Sequence, residues 1–380
     1  MFRSERSRNL LYQVLLLVAV VGVGWWLVSN TLHNLDARKI QTGFGFLSRE
    51  AGFEIAETHV EYEPSSSYTR AFLVGIVNTL VVAAIGIVLA TVLGTLVGIA
   101  RLSTNWLLAK LASAYVEVLR NVPLLLQLFV WYGLFTELLP PVREAIDIGG
   151  FAFVSQRGFR FAWPAEHPAW TAAGWALLAA AALALLWRAR AARVQRATGR
   201  QPPVALPALG LLVGLPLVAW AALGAPTAID VPELAGFDYQ GGKVLSPEFS
   251  ALVIGLSTYT AAFIAEVVRA GILAVDRGQT EASMALGLTP GQRLRLVTLP
   301  QALRVIIPPM TSQYLNLTKN SSLAVAIGYP DLVAVANTTM NQTGQAIEAI
   351  AILMAVYLTI SLAISAFMNW YNDRVRLVER

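Results

Sequence analysis

Eight stretches of this sequence run almost free of charge: 10–28, 72–100, 111–139, 170–187, 204–223, 249–274, 305–327 and 347–370. A helix rises 1.5 Å per residue, so about 20 apolar residues cross the hydrocarbon core of a bilayer. The composition agrees, with 56% hydrophobic and 13% charged residues, where a soluble domain carries about 25% charge. The expected fold is all-α and polytopic, with about eight transmembrane helices. The third stretch is irregular because Glu117, Arg120 and Asn121 fall in its first turns. The fourth is short and alanine-rich, the fifth holds Pro207 and Pro216, and the seventh is crowded with polar groups. The first follows Arg3, Arg6 and Arg8, as a signal peptide would, but has no small-residue cleavage site. Trp25 and Trp26 sit where interfacial anchors belong, so an uncleaved span is expected. There is no cysteine, which excludes disulfides and thiolate chemistry.

Basic residues set the orientation. With the N-terminus inside and the spans alternating, segments 1–9, 101–110, 188–203, 276–304 and 371–380 face the cytoplasm. They hold more than twice the lysine and arginine of segments 29–71, 140–169, 224–248 and 328–346. Segment 188–203 carries Arg188, Arg190, Arg193, Arg196 and Arg200 with no acid. Both termini are therefore expected in the cytoplasm. The net charge of +5 is spread over span ends, which is no nucleic-acid surface. Segment 29–71 is acidic, with Asp36, Glu50, Glu54, Glu57, Glu61 and Glu63, and reads as a solvated outer loop.

The cytoplasmic segment 276–304 is compact. Thr280 or Gln279 precedes a short helical run from Glu281 to Leu286, and Gly287 can end it in the left-handed conformation. Thr289 then caps a second helix with Pro290 at its first position, and Pro300 closes that element or begins the next. Met284, Leu286 and Leu288 are apolar with no membrane to enter. They form either a docking surface or a local cluster.

This loop resembles the motif of permeases in ATP-binding-cassette importers: Glu-Ala-Ala, three residues, Gly, nine residues, Ile, one residue, Leu-Pro. Here Glu281, Ala282, Ser283, Gly287, Val297, Leu299 and Pro300 stand at that spacing, with serine for the second alanine and valine for isoleucine. The stretches Leu256 to Gly271, Glu117 to Gln127, and Leu317-Thr-Lys319-Asn320-Ser-Ser-Leu are similar to polar amino acid permeases. Together with the long N-terminal part, they resemble the larger of two permeases in a general L-amino acid importer of the bacterial inner membrane. The resemblance implies a type I importer core in 71–139 and 249–370, with two extra helices inserted in 140–248. It leaves 1–70 as an N-terminal span with a periplasmic segment, and 371–380 as a cytoplasmic tail. It implies that Glu281, Ala282, Ser283, Met284, Leu286, Gly287, Leu288 and Pro300 belong to a coupling helix seated on a separate ATPase. The implied partners are those ATPase subunits, a homologous second permease or a second copy of this chain, a periplasmic binding protein and the lipid bilayer. ATP is then the ATPase's cofactor, and this chain binds none.

Charges inside spans are costly, about 2.5–3.5 kcal/mol at a helix centre, so each needs a role. Glu266 and Arg269 are three apart on one helical face, as are Glu117 and Arg120. Glu266 with Arg269 forms either a structural pair or a gate at the inner end of a pore. Gln313, Asn316, Lys319, Asn320 and Ser321 cannot all face lipid, so with Glu266, Arg269 and Arg120 they are candidates for a translocation path. Lys319 has two prospective partners, a substrate carboxylate or Glu266. Pro308-Pro309 is expected to break its helix. Gly86, Ala90, Gly94 and Gly98 form a small-residue stripe for close helix packing.

No phosphate-loop motif occurs, so ATP-driven transport requires a second chain. An ion-coupled secondary transporter of small polar solutes is the alternative, but no repeat relates the two halves. A membrane enzyme or metal site would need a constellation of residues. His33, His59 and His167 lie in outer loops without metal-ligand spacing, and their expected role is surface solvation.

Overall fold

The computed structural model describes residues 5–37, 42–199 and 202–375. Arg3, Arg200 and the last five residues of the basic tail fall outside them. Among the described residues twelve α-helices run in chain order. They are α1 (Glu5–Ala37), α2 (Tyr68–Ala100), α3 (Trp106–Asn121), α4 (Leu124–Gly133), α5 (Pro168–Thr198) and α6 (Ala205–Ala222), then α7 (Pro247–Leu273), α8 (Arg277–Ala285), α9 (Pro290–Arg293), α10 (Leu299–Asn320), α11 (Leu332–Thr343) and α12 (Ala346–Val375). Among the described residues six helices are long and apolar enough to cross a membrane, and two bent pairs bring the number to as many as eight. The chain divides into two compact units, residues 1–133 with 248–380, and residues 134–247.

In the first unit α7 is the most enclosed of the candidate spans. Leu252, Leu256, Ala261, Ala262, Ile264 and Ala265 on it are buried. The small-residue stripe explains how α2 approaches. A Cβ at Gly94 would lie 2.7 Å from Ile264 Cβ and 2.8 Å from the Ala261 carbonyl, and one at Gly98 would lie 2.7 Å from the Ala265 carbonyl. Gly94→Leu should therefore force α2 and α7 apart. Overpacking costs typically 1–3 kcal/mol, occasionally more, so the purified protein should melt well below wild type, whereas Gly133→Ala, with open space around it, should not. Equal melting temperatures for Gly94→Leu and wild type would contradict this packing.

The third apolar stretch is not one straight span. Proline at 123 lacks the amide that would continue α3, and α4 leaves at 106° to it. The break frees carbonyls, and buried Gln127 takes them up: its Nε2 donates to the Leu119 oxygen at 2.8 Å and the Val122 oxygen at 2.9 Å. The seventh stretch also differs from expectation. Helix α10 continues through Pro308 and Pro309. The carbonyls of Arg304 and Val305 lose their donors there, on a side where Val305 is exposed.

Segment 328–346, expected as a loop, contains α11, which caps on Asp331 and packs against α2 and α12. Nor is the acidic segment 42–67 a simple solvated loop. Phe46, 1% exposed, packs with Ala51, Tyr68, Phe72, Leu332, Val335 and Ala336. Gly43 N–H donates to Glu348 Oε1 at 2.7 Å. His59 is part of this structure and not mere surface. Its Nδ1 meets Asn78 Oδ1 at 3.0 Å, while Asn78 Nδ2 donates to the carbonyls of Glu57 and Pro330. By contrast α1 exposes its apolar side chains from Leu11 to Val28, as a lipid-facing helix requires.

In the second unit α5 and α6 pack side by side. His167 caps α5, its ring accepting the Ala169 N–H at 3.1 Å. The flanking segments are not plain loops: the fold is mainly helical, but strands Ile146–Ile148, Ala152–Ser155, Gly158–Phe161 and Lys243–Leu245 form an antiparallel sheet in that order. The arginine-rich segment 188–203 is helical as far as Thr198.

Candidate functional site

The loop 276–304 is built from local caps. Asp276 begins α8, accepting the Gly278 N–H at 2.6 Å, so the helix starts several residues before Glu281. Its end is a Schellman turn: Gly287 N–H donates to the Met284 carbonyl at 2.9 Å and Leu288 N–H to the Ser283 carbonyl at 3.1 Å. Gly287 takes φ +71, the left-handed value that glycine adopts without strain. Thr289 and Gln292 form a reciprocal capping box with Pro290 at the first turn. A π turn, Leu294–Thr298, then leads directly into α10. This wider turn precedes Pro300, which begins the next helix and has no N–H to donate. The helical run from 290 to 320 is thus continuous and about 45 Å long. Glu281 and Ala282 are exposed on α8. Ser283 is buried and its hydroxyl donates to the Thr280 carbonyl at 2.7 Å. Met284 is 52% exposed and Leu286 80%, and Leu288 is half-buried. Leu294, Leu296 and Leu299 add exposed apolar surface beside them.

A second cluster forms where α2, α3 and α7 meet. Glu266 Oε1 accepts from Arg269 Nη2 at 2.6 Å, and Oε2 pairs with Arg101. Arg120 stands 3.9 Å from Oε2, with its guanidinium over the Phe263 ring at 5.2 Å from the centroid. Among the described residues Arg120 pairs with Glu266 and not with Glu117. Three guanidinium groups around one carboxylate leave an excess of positive charge. Arg101 was missed in the sequence because it directly follows the apolar run of α2 and reads as an orientation signal.

The polar run of α10 divides by face. Thr318 and Ser321 are buried, with their hydroxyls on the Tyr314 carbonyl at 2.9 Å and the Thr318 carbonyl at 2.7 Å. Ser321 is therefore turned away from the exposed face of this helix. Tyr314 Oη meets Thr91 Oγ1 at 3.0 Å and ties α10 to α2. Gln313 and Asn320 are half-buried. Ser312, Asn316 and Lys319 are exposed at spacings of four and three, one polar stripe on one face. None of the ion pairs among the described residues includes Lys319, so Glu266 is not its partner.

Residues 203–377 match the family described as "Binding-protein-dependent transport system inner membrane component". The chain is 49% identical to the "General L-amino acid transport system permease protein AapQ" of Rhizobium johnstonii, over 100% of this chain and 96% of that relative. It belongs to the inner-membrane permeases of binding-protein-dependent transport systems. Another permease relative, "Putative amino-acid ABC transporter permease protein YhdX" of Escherichia coli strain K12, is 50% identical over 100% of this chain and 97% of its own. Both alignments run through 140–248, so the inserted segment belongs to these permeases as well. A solved structure titled "Crystal structure of an amino acid ABC transporter with histidines" aligns at 21% identity and a TM-score of 0.48, covering 81% of this permease and 95% of that chain.

Proposed function

We propose that this permease moves L-amino acids into the cytoplasm, driven by ATP hydrolysis on a separate subunit docked at 279–291. It works beside a second permease and receives substrate from a periplasmic binding protein. The observation that carries this reading is the unbroken helical run from 290 to 320. It joins the capped loop, with exposed Met284 and Leu286 beside it, to the polar stripe of Ser312, Asn316 and Lys319. A displacement of the loop by an ATPase is carried along one rigid element to the polar face. The excess positive charge at Glu266 suits a substrate that always carries a carboxylate. The amino-acid names of the full-length relatives support the substrate class. Proteoliposomes holding the permease with its co-expressed partners, ATP at the loop side and binding protein opposite, should accumulate labelled L-amino acids. Several L-amino acids should compete with one another and sugars should not. Accumulation without competition by any other L-amino acid would overturn the general substrate class.

In this reading both termini are cytoplasmic. The chain has no native cysteine, so single cysteines report cleanly. Arg193→Cys should react with an impermeant thiol reagent only after the cells are opened, and Glu54→Cys, an exposed position, should react in intact cells. Labelling of position 193 from outside would reverse the assignment.

A further inference from the structure

We infer that the arginine face of α5 binds the headgroups of anionic phospholipids. Residues 168–187 span about 30 Å as a helix, enough for the hydrocarbon core. Beyond them the same helix continues to Thr198. Trp187 stands at the boundary, its indole N–H donating to the Pro203 carbonyl at 3.2 Å, and tryptophan favours this depth. Arg188, Arg190, Arg193 and Arg196 follow, all exposed. At about 100° per residue they occupy little more than half the circumference. Ala191, buried, and Val194, half-buried, take the other side. No acidic residue lies in 188–203, and none of the ion pairs among the described residues uses these four arginines.

Orientation of the chain needs only a count of charges. It does not need them on a helix that prolongs a span, with the remaining side left to Ala191 and Val194. That placement keeps four guanidinium groups within about 13 Å of the hydrocarbon boundary, at headgroup depth. A guanidinium is a flat fork of donors that holds phosphate oxygens in pairs. Basic clusters directly beside a span attract anionic lipid. Gly199 caps this end of the helix in the left-handed conformation, but among the described residues 188–199 no large apolar side chain is exposed for a protein partner, in contrast with 279–291.

Native mass spectrometry of the assembled complex, taken from nanodiscs of phosphatidylglycerol or of phosphatidylcholine, tests this. The wild type should retain several-fold more phosphatidylglycerol, and a tenfold rise in salt should strip it while excess inorganic phosphate should not. Replacing all four arginines by glutamine should cut retention at least fivefold, and replacing them by lysine should keep much of it. Equal retention by the glutamine variant and wild type would overturn the inference. Loss of the ATPase subunit from that variant with lipid unchanged would also overturn it and point to a protein partner, and displacement by inorganic phosphate would point to a free-anion site. If the glutamine variant fails to insert, the wild type decides alone: no preference between the two lipids refutes the proposal.

Discussion

Replacing Gly287 by valine should abolish uptake and the stimulation of ATP hydrolysis by liganded binding protein, while the complex still assembles. The reason is confined to the backbone. A Cβ at Gly287 meets nothing within 4 Å, so there is no clash, but φ is +71. A β-branched residue held there costs about 1–3 kcal/mol, which shifts a local equilibrium roughly 5- to 150-fold. The chain escapes the strain by abandoning the turn whose bonds join Gly287 to Met284 and Leu288 to Ser283. Helix α8 then no longer stands in register with α9. Leu286→Asp approaches the same interface differently: the side chain is 80% exposed, so the turn survives, but a charge enters the apolar knob. Both variants should lose stimulation at least tenfold, and Gly287→Ala should lose less than Gly287→Val. Full stimulation in both would place the ATPase contact elsewhere.

Lys319→Met should lower uptake at least tenfold, or change the order of preference among amino acids, with assembly intact. An ammonium exposed to lipid inside a span is disfavoured by about 2.5–3.5 kcal/mol. Lys319 is exposed, without an ion pair among the described residues, and in line with Ser312 and Asn316. A wet path accounts for that combination. Lys319→Arg should retain part of the activity because the charge remains. Thr318→Val serves as the control: its hydroxyl is buried on a carbonyl of its own helix and faces no path. KM and Vmax measured for several amino acids separate these outcomes. Unchanged kinetics in Lys319→Met would remove it from the path.

The spans were readable because length and apolarity decide them locally. The turn at Gly287 and the cap at Thr289 were readable for the same reason, since a cap needs only its neighbours, though the reciprocal bond from Gln292 was not foreseen. Asp276 was also readable as a cap, but the apolar pattern begins later and drew the helix start toward Glu281. What failed was set by distant partners. The bend at Pro123 depends on Gln127 reaching back to two carbonyls. Segment 42–67 is polar in composition, and Phe46 alone does not reveal that α2 and α11 wait to bury it. Asn78 was a signal passed over, since an amide in an apolar run must find partners, and here it finds His59 and two carbonyls. Pro308-Pro309 misled because proline removes donors without ending a helix whose freed carbonyls lie toward an open side. In the candidate site the Glu266–Arg269 pair followed from spacing alone, whereas Arg101 came from another helix.

The source of energy is the central claim, and one measurement addresses it. Sealed proteoliposomes carrying the permease and its partners are loaded with ATP or with a non-hydrolysable analogue, and labelled L-amino acid is supplied with binding protein outside. Accumulation should require hydrolysable ATP and persist when ionophores collapse every ion gradient. Accumulation that proceeds with the analogue and disappears with the ionophores would contradict the account.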